Sequence, residues 1–121
     1  MAEHKGFQDL VADAKKKITE ISPTDAAAKA KSSSDAVIVD VREKDEFDES
    51  HIPDAVHMRR GMLELEVEDK FSDRNTTIIC HCGGGRSVLA VESLQKMGCK
   101  NVRSMAGGFK AWKTAGLPTT T

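Results

Sequence analysis

Apolar positions along the chain switch repeatedly between helical spacing and unbroken β-branched runs. Between Gly6 and Lys17, Phe7, Leu10, Val11 and Ala14 recur at helical spacing opposite Asp9, Asp13, Lys15 and Lys16. That predicts an amphipathic helix packed on the main body through this stripe. Residues 18–21 form a brief β-prone run. Ser22 suits an N-cap, Pro23 the first helical position and Asp25 the first turn, so a helix is expected from there through Ala30. A polar turn is expected at 31–35.

Ala36-Val37-Ile38-Val39-Asp40-Val41 is nearly all β-branched, as in a parallel strand buried on both faces. A short helix over Glu43 to Phe47 turns Phe47 inward, and a turn at 51–55 leads to a short strand at 56–58. Residues 60–70 read as a helix with Met62, Leu63, Leu65 and Val67 toward the core. After a turn at 73–76 comes a strand over Thr77 to Cys80. The helix Arg86 to Met97 follows, with Val88, Leu89, Val91, Leu94 and Met97 apolar, and Gly98 stops it. Residues 101–105 form another strand, and Gly107-Gly108 turns into a last helix carrying Phe109 and Trp112. Strands alternating with helices make the fold class α/β, a parallel sheet covered on both faces. Ligands then bind beyond the carboxyl ends of the strands.

Composition narrows the classes. A chain of 121 residues with 18 basic and 19 acidic side chains is one domain without the charge of a nucleic-acid binder. No apolar run has transmembrane length and Met1-Ala2-Glu3-His4-Lys5 lacks a signal-peptide core, so no membrane partner and a cytoplasmic location are expected. Of the three cysteines, Cys80 and Cys82 are too close in sequence for a structural staple, and no disulfide framework is expected. A monomer or weak dimer is expected.

The chemistry concentrates in Cys80-His81-Cys82-Gly83-Gly84-Gly85-Arg86-Ser87, between a strand and a helix. Glycines let successive N–H groups turn inward and a helix N-terminus adds positive charge, which together cradle an anion. A cysteine at the mouth of such a cradle is held as thiolate, the reactive form. Adjacent strand residues point to opposite faces, which makes joint chelation of a metal by Cys80, His81 and Cys82 awkward, and no metal is expected. Asp40 and Arg42, at the end of a buried strand, tie loops together or serve the site. His51, His57 and His81 are expected to be hydrogen-bonded structural residues, Cys80 a buried packing thiol, Cys99 a packing or surface thiol, and Ser87 a helix cap.

Several stretches resemble, in order, a single-domain rhodanese. They are Val39-Asp40-Val41-Arg42-Glu43 with Glu46-Phe47, His51-Ile52-Pro53-Asp54-Ala55-Val56-His57, the cysteine loop with Arg86-Ser87, Leu94-Gln95-Lys96-Met97-Gly98, and Gly107-Gly108-Phe109-Lys110-Ala111-Trp112. The resemblance implies a rhodanese-like domain over 18–121, with a five-stranded, mostly parallel sheet, and residues 1–17 as a helical extension packed on it. Ser50 and Asp54 stand where the family usually has glycines. Counted forward from Asp73, the nucleophile falls on Cys82, and the loop to Arg86 is one residue shorter than usual, a deletion three glycines can absorb.

The implied activity is sulfur transfer. Cys82 takes a sulfane sulfur from thiosulfate or a similar small anion as a persulfide and passes it to cyanide, a thiol or an acceptor protein. Gly83, Gly84, Gly85, Arg86 and Ser87 form the donor-binding loop, in which Arg86 either contacts the anion or braces the loop from outside, with Asp40, Arg42 and His51 in support, and no cofactor is needed. Two alternatives stand beside it. One is a non-catalytic sulfur-carrying or protein-binding module. The other is a cysteine-dependent phosphatase or arsenate reductase, because Cys80, five residues, Arg86 and Ser87 match that signature.

Overall fold

A computed structural model of the chain describes residues 4–32, 36–82 and 85–121. Gly83 and Gly84, and part of the turn expected at 31–35, lie outside the described residues. The order is α1 (Phe7–Lys15), β1 (Glu20–Ile21), α2 (Pro23–Ser32), β2 (Ala36–Asp40), α3 (Lys44–Glu49) and β3 (Val56–His57). It continues through a 3-10 turn (Arg60–Met62), α4 (Leu63–Lys70), β4 (Thr77–His81), α5 (Arg86–Lys96), β5 (Asn101–Met105) and α6 (Gly108–Thr114). The strands form a five-stranded sheet in the order β1-β5-β4-β2-β3, and every pair is parallel. β4 sits at its centre, so its carboxyl end opens between two crossovers, where α/β sheets place their sites.

Local chemistry explains the elements. The Ser22 hydroxyl accepts the Asp25 N–H at 3.1 Å, capping α2 ahead of Pro23. Glu46 reaches back to the Glu43 N–H at 3.1 Å and closes the start of α3. Asp54 takes φ +66°, the left-handed geometry that aspartate tolerates. Ser50 sits in extended backbone at φ −168°, open to any residue, so the serine costs nothing in that turn.

Val39, Val41, Ile78, Cys80, Leu63, Val67, Val91 and Leu94 pack one face of the sheet. Ile38, Ile79, Met105, Phe109 and Trp112 pack the other with Ala26 of α2. Three apolar residues depart from the expected inward positions. Val11 and Ala14 of α1 are buried against Val88 of α5, but Phe7 and Leu10 are 44% and 47% exposed. Leu65 is 59% exposed, because α4 buries Leu63 and Val67 and turns Leu65 outward.

Candidate functional site

β4 runs one residue further than expected, to His81, and this decides how the three-residue cluster is presented. Cys80 and Cys82 point into the α4–α5 core, and His81 points to the opposite face, its ring centre 5.9 Å from that of Phe109. Cys80 is wholly buried inside the strand, and burial pushes its thiol up to about 12. A protonated core thiol is a poor nucleophile, so the placement of Cys80 does not favour a phosphatase that uses it. Cys99 is also buried, with its thiol raised by burial. Among the described residues, no group of three or more His, Cys, Asp or Glu side chains is placed to hold a metal ion.

Cys82 follows the strand directly and lies at the N-terminus of α5. Its Sγ accepts the Ser87 N–H at 3.2 Å, and the Ser87 hydroxyl lies 3.6 Å away. The cap of α5 is Gly85, at φ +113°, rather than Ser87. Ser87 lies inside the helix, where its hydroxyl is 2.9 Å from that of Ser104 on β5. The Cys82 carbonyl accepts the Phe109 N–H at 2.9 Å, so the start of α6 holds the backbone beneath the sulfur. A pocket of about 240 Å³ opens over Cys82, with Gly85, Ser87 and Ser104 in its lining.

Arg86 is not part of that lining. Its guanidinium pairs with Glu46 of α3 at 3.2 and 3.4 Å, an interaction that raises its pKa, with a smaller contribution from Cys82. The same pairing holds the Glu46 carboxyl below its ordinary value. Sequence reasoning missed this partner because 40 residues separate Glu46 from Arg86 and no local pattern joins them.

Asp40 and Arg42 form a buried unit on the far face of β2. Arg42 donates from Nε and Nη2 to the Asp40 carboxylate at 2.8 to 3.1 Å, and Nη2 also reaches the Ser50 carbonyl at 2.7 Å. Burial alone would raise the Asp40 carboxyl, but Arg42 and the nearby His81 ring together hold it below the usual range. The guanidinium also lies 4.2 Å from the centre of the Phe109 ring. One chain of contacts therefore runs from Ser50 through Arg42 and Phe109 to the Cys82 backbone.

His51 stands apart from the pocket. Its ring stacks on Phe47 at 3.8 Å, Nδ1 lies 2.8 Å from the Phe47 carbonyl, and its backbone pairs with Thr120. His57 Nε2 lies 2.8 Å from the Arg42 carbonyl. His81 departs from the expected hydrogen-bonded role. It is fully buried, neither ring nitrogen has a hydrogen-bond partner among the described residues, and Asp40 is no nearer than 3.5 Å. Burial pushes its pKa down to about 4, so the ring is neutral at pH 7.

Known proteins match this chain in both sequence and fold. The family model for the rhodanese-like domain matches residues 22–115. The chain belongs to the rhodanese-like domain family. Over 80 residues this rhodanese-like chain is 36% identical to the thiosulfate sulfurtransferase GlpE of Coxiella burnetii, covering 65% of this chain and 73% of GlpE. The polysulfide-sulfur transferase of Wolinella succinogenes, a homodimer, superposes with a TM-score of 0.83 at 29% identity over 94% of this chain and 86% of that one. A Rhodopseudomonas palustris protein of unknown function, described as a possible tyrosine phosphatase, superposes with a TM-score of 0.87. Its identity is 32%, over 99% of this chain and 98% of that one. No helix among the described residues is long and apolar enough to cross a membrane.

Proposed function

We propose that this rhodanese-like domain is a sulfurtransferase that carries sulfane sulfur as a persulfide on Cys82. The observation that supports this reading best is the Ser87 N–H aimed at the Cys82 sulfur from the first turn of α5. That donor and the positive end of the helix meet negative charge on the sulfur, both as thiolate and as persulfide. The Cys82 thiolate attacks the outer sulfur of thiosulfate, a new S–S bond forms, and sulfite leaves with the electrons of the broken bond. Cyanide or a thiolate then attacks the terminal sulfur and Cys82 departs as thiolate, giving thiocyanate or a new persulfide. No oxidant or reductant enters either step.

Arg86 braces the loop from outside through Glu46, and Asp40 and Arg42 hold the Phe109 end of the same loop. His51 fixes the turn that carries Ser50. Thiosulfate incubation followed by mass spectrometry tests the reading. The chain gains one sulfur atom, Cys80→Ser and Cys99→Ser keep the gain, and Cys82→Ser loses it together with thiocyanate formation. A chain that gains no sulfur from thiosulfate or polysulfide, or a gain that survives Cys82→Ser, overturns it.

A further inference from the structure

The pocket over Cys82 is not built by the family segment alone. Gln8, Val11 and Lys15 of α1 and Glu20 of β1 also line it, and all four precede residue 22, where the family match begins. α1 is firmly seated. Val11 and Ala14 are buried against α5, and a Cβ on Gly85 would lie 2.9 Å from Val11 Cγ2 and 3.4 Å from Phe7. With this roof in place Cys82 is 1% exposed. The pocket volume of about 240 Å³ equals roughly eight waters at ~30 Å³ each, below the ~300–1,000 Å³ of sites for drug-sized ligands. Two opposite charges stand in the lining, Lys15 on α1 and Glu20 on the sheet edge, and neither joins an ion pair among the described residues.

We propose that α1 is the specificity element of this site, limiting Cys82 to small donors and presenting Lys15 to the outer end of an anionic one. The proposal rests on Cys82 being the reacting sulfur, as in the reading above. Lys15 attracts a sulfur oxyanion, Glu20 sets which side of the pocket it occupies, and Val11 excludes bulkier persulfides.

Alkylation of the full-length chain tests this without sulfur transfer. The Cys82 sulfur displaces iodide from iodoacetate or iodoacetamide, reagents of similar size and different charge, and peptide mapping locates the label. Lys15→Gln lowers the iodoacetate-to-iodoacetamide rate ratio about two- to fivefold, the range of a partly screened charge contact. Glu20→Gln raises the ratio. Lys16→Gln, the same charge change at the C-cap of the same helix and outside the pocket lining, leaves it unchanged. Val11→Ala accelerates labelling by a bulky aryl maleimide more than labelling by iodoacetamide, with far-UV circular dichroism confirming the fold. Equal effects of Lys15→Gln and Lys16→Gln, or equal acceleration of small and bulky reagents by Val11→Ala, overturn the proposal. A chain that shows the expected alkylation pattern but forms no persulfide overturns the sulfurtransferase reading and leaves the role of α1 standing.

Discussion

Replacing Arg42 by methionine keeps a long flexible side chain in its slot and removes the guanidinium. Asp40 is fully buried and takes hydrogen bonds from the Arg42 backbone N–H, Nε and Nη2 at 2.8 to 3.1 Å. Leaving a carboxylate unpaired there costs about 3–5 kcal/mol. The Ser50 carbonyl loses its 2.7 Å donor and Phe109 its stacked cation, adding about 1–2 kcal/mol. Domains of this length are stable by roughly 6–18 kcal/mol, so the variant is severely weakened.

The loss depends on pH. In the wild type the Asp40 carboxyl lies below its ordinary 3.8, because Arg42 and His81 outweigh burial. Its contribution is therefore present above about pH 4 and is lost as pH falls through the folded value. Without Arg42, burial dominates and the carboxyl binds a proton more readily folded than unfolded. The variant then recovers stability relative to wild type as pH falls from 7 to 5. Urea denaturation at both pH values reads this directly, and Asp40→Asn combined with Arg42→Met regains about 2–3 kcal/mol over the single variant at pH 7. A single variant that costs less than about 1 kcal/mol, or a double variant no more stable than the single one, refutes the view of the pair as one electrostatic unit.

Two further predictions concern the neighbouring residues. His81→Leu removes a buried ring without hydrogen bonds, so its cost at pH 7 is within about 1 kcal/mol. The wild type loses about 3 kcal/mol between the unfolded value of 6.5 and the folded value near 4 as the ring is forced to ionise; denaturation against pH shows this loss absent from the variant. Gly85→Ala costs about 2–3 kcal/mol from its φ of +113° and the contact with Val11. Adding Val11→Ala relieves only the contact part, so thermal melts that show full rescue, or no cost at all, contradict the geometry.

Fold class and strand order of appearance were legible because β-branched runs alternate with helical stripes, and the Ser22-Pro23 start of α2 follows from capping alone. Periodicity shows that a helix has an apolar stripe but not what covers it, which is why Phe7, Leu10 and Leu65 were placed inward and are exposed. The choice between Cys80 and Cys82 rested on counting. The pleat of β4 adds the physical reason, since only Cys82 lies past the strand and within reach of the Ser87 N–H. The pairing of Arg86 with Glu46 and the approach of α1 to Gly85 join residues far apart in the chain, and no local pattern encodes such contacts. Serine favours the cap position, which points to Ser87, but Gly85 takes that place by adopting a backbone angle closed to serine.

The strand order carries a consequence for the newly made chain. Among the described residues β1 pairs only with β5, Glu20 against Ser104 and Ile21 against Met105, so the strand at this edge waits for β5. During synthesis the N-terminal segment leaves the ribosome early and finds no edge to join until residues 101–105 emerge. Loop closure over so long a span is entropically slow, so β1 and the Glu20 wall of the pocket assemble late. A nascent chain stopped before β5 would carry Cys82 without that wall, so the pocket takes its final charge and shape in the same event that finishes the sheet.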